Sequence, residues 1–153
     1  MKKISLSIIK KLRNETGAPV IRVKKVLEEL RGDELKAVAV LKKEGFEKTS
    51  KRNDRQTNQG TIFAYCHHSG KIVSVVEVLC ETDFVARNEL FTDLGKNLSM
   101  QVASMNPKNT DDLLNQDFIK DPSKKVVDLV KEVIAKTGEN VRVGRLYRME
   151  IGK

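Results

Sequence analysis

Apolar side chains recur at helical spacing through the first third of the chain, and the intervals are punctuated by glycines. Ile4, Ile8, Ile9 and Leu12 share one face before Thr16-Gly17, where glycine suits a left-handed C-terminal cap. A second helix begins at Pro19, a residue suited to a first helical turn, and Val20, Val23, Val26, Leu27 and Leu30 form its stripe as far as Gly32. Asp33 then caps a third helix whose buried side is Leu35, Val38 and Leu41, with Gly45 as its stop. Three short helices joined by glycine turns make a small bundle over residues 1–46. Such a bundle offers a surface to a partner rather than holding an active site.

Residues 47–59 carry Lys, Arg, Asn, Asp, Gln, Ser and Thr with no large apolar side chain, which predicts an extended linker that buries nothing. The period then changes. Gly60–His67 and Lys71–Leu79 are β-rich runs separated by His68-Ser69-Gly70, a hairpin signal. Asn88–Met105 returns to helical spacing through Leu90, Phe91, Leu94, Leu98 and Val102. Asp121-Pro122 introduces a further helix with Val126, Val127, Val130, Val133 and Ile134 as its stripe, ended by Gly138. Asn140–Ile151 reads as a last strand with Val141, Val143, Tyr147 and Met149 on one face. The fold class is therefore α+β: a three-helix module, a linker, and a ββααβ core over residues 60–153 with a small antiparallel sheet.

In the second strand Ile72, Val76 and Val78 point one way while Val73, Val75 and Leu79 point the other, so both faces of the sheet are apolar. Two helices can cover one face. The other face calls for a second copy of the chain or a partner, or else for the linker or loops to shield it.

Composition narrows the function. With 153 residues, 39% hydrophobic and 33% charged, the chain is a globular one with room for one modest core or two small ones. No apolar run approaches the roughly 18 residues of a membrane span, and Ile4–Ile9 is too short and too broken by serines for a secretory signal, which predicts a cytoplasmic protein. Cys66 and Cys80 are too few for a disulfide framework and read as buried thiols in a reducing compartment. The net charge of +8 lies wholly in residues 1–59, where 16 Lys and Arg face 8 Asp and Glu, against 13 and 13 in the remainder. A basic face seeks phosphates or an acidic protein surface, so an RNA- or ribosome-binding module is one reading. It is weakened because Phe46 is the only aromatic residue among those first 59.

Catalytic and metal chemistry find little support. Cys66-His67-His68 is ligand-rich, yet successive strand residues point to opposite faces and no second ligand pair stands at zinc spacing. No Gly-rich phosphate loop of the Walker or Rossmann type occurs, and no other histidine is available as a base. The chain is not expected to be an enzyme, nor to hold a metal or a cofactor. The distinctive segment is Cys80-Glu81-Thr82-Asp83-Phe84-Val85-Ala86-Arg87-Asn88-Glu89, between strand and helix. Spacing leaves two readings open: Thr82 or Asp83 caps a helix with Phe84 folded into the core, or the turn projects an aromatic wedge beside a carboxylate.

This segment, the stretch from Leu12-Arg13 through Thr16-Gly17-Ala18 with Lys24-Lys25 and Leu27, and Phe118-Ile119-Lys120-Asp121-Pro122-Ser123 with Gly138-Glu139-Asn140-Val141 together resemble the elongation factor Ts family. The resemblance covers nearly the whole chain in order. It implies a ubiquitin-associated-like helical module that docks on elongation factor Tu, followed by a core contacting the same partner, and an activity in guanine nucleotide exchange. It carries a wedge over to Thr82, Asp83, Phe84 and Val85, with Asp83 and Phe84 beside the partner's Mg²⁺ and phosphate site, and partner docking over to Val20, Ile21 and Lys24. The chain departs from the family pattern at Pro19-Val20-Ile21, where Gly-Met-Met is usual, at Gly144, where arginine is common, and at Asp117, where proline is common. It resembles the short members, which have a single core that pairs with a second copy, in keeping with the two-faced sheet.

Overall fold

The computed structural model describes residues 4–153, so the first three residues of the expected helical module lie outside it. Three helices come first: α1 (Leu6–Thr16), α2 (Val20–Glu29) and α3 (Glu34–Ser50). Ser5 and Asp33 cap α1 and α3 by accepting hydrogen bonds from the backbone N–H groups of Ile8 and Lys36. Gly17 takes the left-handed conformation that ends α1. Ile9, Leu12, Val23, Val26, Leu27, Ala37 and Leu41 bury together as the bundle core.

The third helix departs from expectation. It runs through Gly45 to Ser50, because a single glycine costs a helix only about 1 kcal/mol and here it faces α7, where a side chain at that position would just meet Ala135. Leu35, expected on the buried side, stands in solvent, and Ala37 and Leu41 do the burying. Residues 47–59 are consequently no free extended linker. Their first four residues are helical, Thr49 and Thr57 are buried, and the segment is held to the core by hydrogen bonds. Arg52 donates to the Ile134 carbonyl at 3.0 Å, Asn140 donates to the carbonyls of Asn53 and Arg55 at 3.3 and 2.9 Å, and Arg142 donates to Thr57 Oγ1 at 3.1 Å. A polar segment can be buried when hydrogen bonds replace its water, with no apolar area required.

The remainder is built on a three-stranded antiparallel sheet in the order β1 (Gln59–Cys66), β2 (Ile72–Cys80), β5 (Val141–Glu150). Between the last two strands lie α4 (Asp83–Ala86), α5 (Glu89–Met105), α6 (Thr110–Asn115), the small ribbon β3 (Asp117–Phe118) with β4 (Asp121–Lys125), and α7 (Val126–Thr137). Asp121-Pro122 thus belongs to a strand, and the helix starts only at Val126, where Asp128 accepts the Lys125 N–H as a first-turn carboxylate should. The ribbon is anchored by Gln101, fully buried on α5, whose amide donates to Gln116 and to the Asp117 carbonyl and accepts from the Ile119 N–H. Helices α5 and α7 cover one sheet face. Val76, Val78 and Cys80 bury beneath them with Phe91, Leu94, Leu98, Val130, Val133, Ile134 and Val141, and Phe63 meets Phe91 with ring centroids 6.0 Å apart.

The last strand contains a bulge. Val76 pairs with Leu146 and Val78 with Val143, so Gly144 and Arg145 stand opposite the single residue Glu77. The extra N–H is not orphaned, since Glu77 accepts it at 3.1 Å and also takes the Arg145 guanidinium at 3.0 Å, which holds the Glu77 carboxyl below the usual carboxylate range. Gly144 leaves the space that the Glu77 carboxylate occupies. Because one extra residue reverses the side-chain parity, Val141 and Val143 face the helices while Tyr147 and Met149 emerge on the opposite face, 65% and 69% exposed. The four do not share a face.

Cys66 likewise differs from expectation. It closes β1 on the uncovered face and is exposed, whereas Cys80 is buried and its thiol is pushed up to about 11, first by burial and then by the nearby Glu139 carboxylate. Cys80 should therefore resist a disulfide reagent at pH 8 in the native protein and react only on unfolding; labelling a Cys66→Ser variant in buffer and in guanidinium isolates it, and a fast reaction in buffer would contradict this burial.

Candidate functional site

Strand β2 ends at Cys80, and the chain turns through Glu81 and Thr82 into the single helical turn α4. Thr82 is its N-cap: the side-chain oxygen accepts the Val85 N–H at 3.4 Å, and the Thr82 carbonyl accepts the Ala86 N–H at 3.2 Å. Val85 points inward and is buried in the main core. Its neighbour Phe84 points outward and is 81% exposed, a large apolar side chain held in water on a turn whose other side is anchored. Asp83 lies on the same turn with its carboxylate 3.2 Å from the Arg87 guanidinium, both side chains substantially exposed. Asn88 then caps α5 by accepting the Leu90 N–H at 2.8 Å. Of the two readings left open by spacing, the cap at Thr82 and the projecting Phe84 hold together. The folded-back Phe84 does not.

Thr82, Asp83, Phe84 and Val85 are thus gathered on one turn, but they divide in role: Thr82 and Val85 secure it, and Asp83 and Phe84 face solvent. Val20, Ile21 and Lys24 belong to α2. Ile21 is 83% exposed, Val20 is half exposed, and Lys24 reaches Glu28 only loosely at 3.9 Å, so this end of α2 presents an apolar pair beside a cation. Their neighbours Val23, Val26 and Leu27 supply the buried stripe, from which Val20 is excluded.

Sequence reasoning missed Glu139. Its carboxylate receives the Thr82 N–H at 3.0 Å and the Thr82 hydroxyl at 2.6 Å, and so grips the cap of α4 from the far end of α7. The adjacent Asn140 is buried and donates its backbone N–H to Glu81 at 2.6 Å. Both residues stood inside the quoted motif Gly138-Glu139-Asn140-Val141, but a strand onset after a glycine carries no sign of a partner 57 residues away. Among the described residues no three His, Cys, Asp or Glu side chains gather as a metal site would require, and no helix is long and apolar enough to cross a membrane.

Exposure makes a direct prediction for Phe84. Phe84→Ala should leave the melting of the free protein nearly unchanged, by about 0.5 kcal/mol or less as for other surface sites. A core phenylalanine would cost about 3–5 kcal/mol on the same truncation, so thermal melting of the variant separates the two.

Comparison with known proteins places the chain in a family. The family model described as Elongation factor TS matches residues 81–153, from the turn carrying Phe84 to the last strand. Elongation factor Ts of Oleidesulfovibrio alaskensis is 37% identical, with 99% of this chain and all of the relative covered. That of Thermotoga neapolitana is 39% identical over 98% of each chain. Elongation factor Ts of Clostridium botulinum is 41% identical over 98% of this chain but only 49% of its own length. This chain therefore belongs to the elongation factor Ts family of translation factors.

Proposed function

We propose that the protein is a guanine nucleotide exchange factor of the cytoplasm that binds elongation factor Tu in its GDP state and loosens the nucleotide by disturbing the Mg²⁺ and phosphate site. The observation that carries the reading is Phe84, an exposed aromatic side chain on a turn braced by a cap and by the buried Val85. Its backbone is braced and a phenylalanine has only two side-chain torsions to lose on insertion, which suits an interface anchor. Asp83 beside it brings a negative charge, which competes for a cation and repels phosphate. In this reading residues 1–46 are the docking module, with Val20, Ile21 and Lys24 at the contact, and residues 60–153 form the core that delivers the wedge.

The energetic logic is linkage. A factor that binds nucleotide-free partner more tightly than GDP-bound partner must weaken GDP by the same coupling free energy. No hydrolysis by the factor is involved. The test is release of labelled GDP from elongation factor Tu with and without this protein. Phe84→Ala should weaken the complex by about 2 kcal/mol, or about thirtyfold in Kd. Asp83→Asn should slow release more than it weakens binding. Normal release by Phe84→Ala, per folded molecule, would remove the wedge, and an unaccelerated release by the native protein would remove the exchange reading altogether.

We further propose that the core pairs with a second copy through its open sheet face. Ile62, Ala64, Val73, Val75, Tyr147 and Met149 line that face, and Ile62 is 64% exposed. An isologous two-fold contact would bury this apolar strip against itself. Sedimentation equilibrium should return twice the mass of one chain, and Tyr147→Asp should return a single one. A monomeric mass for the native protein at high concentration would overturn the proposal.

A further inference from the structure

A single helical turn does not hold itself, because nucleation fixes several backbone dihedrals for one or two hydrogen bonds. The four residues of α4 therefore depend on what grips them from outside. On one side the grip is burial of Val85. On the other it is Glu139, whose two carboxylate oxygens take the N–H and the hydroxyl of Thr82 at 3.0 and 2.6 Å. The hydroxyl has one proton. Donating it to Glu139 turns a lone pair toward the Val85 N–H, so the carboxylate selects the orientation in which Thr82 caps the turn.

Glu139 itself is firmly placed. Gly138, at φ 79°, closes α7 and donates its N–H to the Ile134 carbonyl at 2.9 Å. On the other flank Asn140 is almost wholly buried, its backbone bonded to Glu81 and its side chain to the carbonyls of Asn53 and Arg55. Both neighbours of Glu139 are thus fixed by the core, while of the two solvent-facing residues of the turn Asp83 has only the exposed Arg87 ion pair at 3.2 Å and Phe84 is 81% exposed.

We infer that Glu139 is a positioning residue for nucleotide exchange: it acts through Thr82 to hold Asp83 and Phe84 in the geometry that enters the partner. This rests on the exchange reading above and adds to it a residue whose carboxylate is engaged by Thr82 within the chain. Positioning by a well-placed group matters because a small misplacement of the acting side chains lowers a rate far more than it lowers stability.

The experiment has two arms. In the free protein, Glu139→Ala should raise hydrogen exchange at the amides of Thr82, Val85 and Ala86 by about tenfold or more, with the amides of β2 and α5 unchanged. In GDP release from elongation factor Tu, followed against factor concentration, the same variant should lower the maximal rate by about tenfold, yet by less than about twofold when added to Phe84→Ala, since a lost wedge cannot be misplaced. Glu139→Gln retains one acceptor oxygen and should fall between; it replaces the alanine variant under the same criteria should that one not fold. Unchanged exchange at the turn, an unchanged maximal rate, or a full tenfold loss on top of Phe84→Ala would each overturn the inference. Failure of the native protein to release GDP would instead show in the control and would discard the exchange reading itself, and the positioning role with it.

Discussion

A three-stranded sheet with two apolar faces can be covered by its own helices on one side only, and the architecture of the core follows from that constraint. Helices α5 and α7 take the face of Val76, Val78 and Cys80, where the burial is complete. The connections they need, α4, α6 and the β3–β4 ribbon, bury Val85 and Leu113 in the same core, and Gln101 satisfies the backbone groups of Asp117 and Ile119. The opposite face retains Ile62, Tyr147 and Met149 in solvent. Apolar exposure of this kind is costly for a lone molecule, so it marks the side on which association gains most.

The same economy shapes the turn after β2. A chain leaving a buried central strand at Cys80 and entering a buried helix at Glu89 has only a few residues to reverse direction, and a cap at Thr82 uses them efficiently. Successive residues of a helical turn point about 100° apart, so Val85 is buried in the core while Phe84 is left outside. An exposed phenylalanine contributes nothing to the stability of the free chain. Its position is nonetheless well defined, because the residues on either side of it are bonded or buried. An aromatic side chain with two torsions to lose, carried on a fixed backbone, is suited to anchoring an interface.

The helical bundle has a core of its own, yet it is not loosely tethered. Helix α3 runs past Gly45 against α7, and the polar segment after it is stitched to the core by Arg52, Asn140 and Arg142. Asn140 takes part in both junctions, bonding the segment at Asn53 and Arg55 with its side chain and Glu81 with its backbone. The joint between bundle and core therefore shares a residue with the segment that leads into the exposed turn.

Local patterns along the chain determined the helical bundle, the β-hairpin, the helix caps at Asp33 and Gly138, and the family to which the chain belongs. Each of these depends on residues a few positions apart, where periodicity, a capping side chain or a glycine at positive φ decides the conformation. Spacing within the turn of Thr82–Val85 left the direction of Phe84 open, and only the family resemblance pointed to Asp83 and Phe84 as its outward side chains. Only the tertiary structure decided that Phe84 stands in solvent, that Cys66 is exposed, and that a bulge opposite Glu77 sends Tyr147 and Met149 to the open face. It alone brought Glu139 to Thr82, and it laid α3, continued through Gly45, beside Ala135 of α7. These outcomes share one physical reason: each is an energy gained between residues distant in sequence, and a bulge, a close helix approach or a carboxylate across 57 residues leaves no periodic trace in the segment it alters.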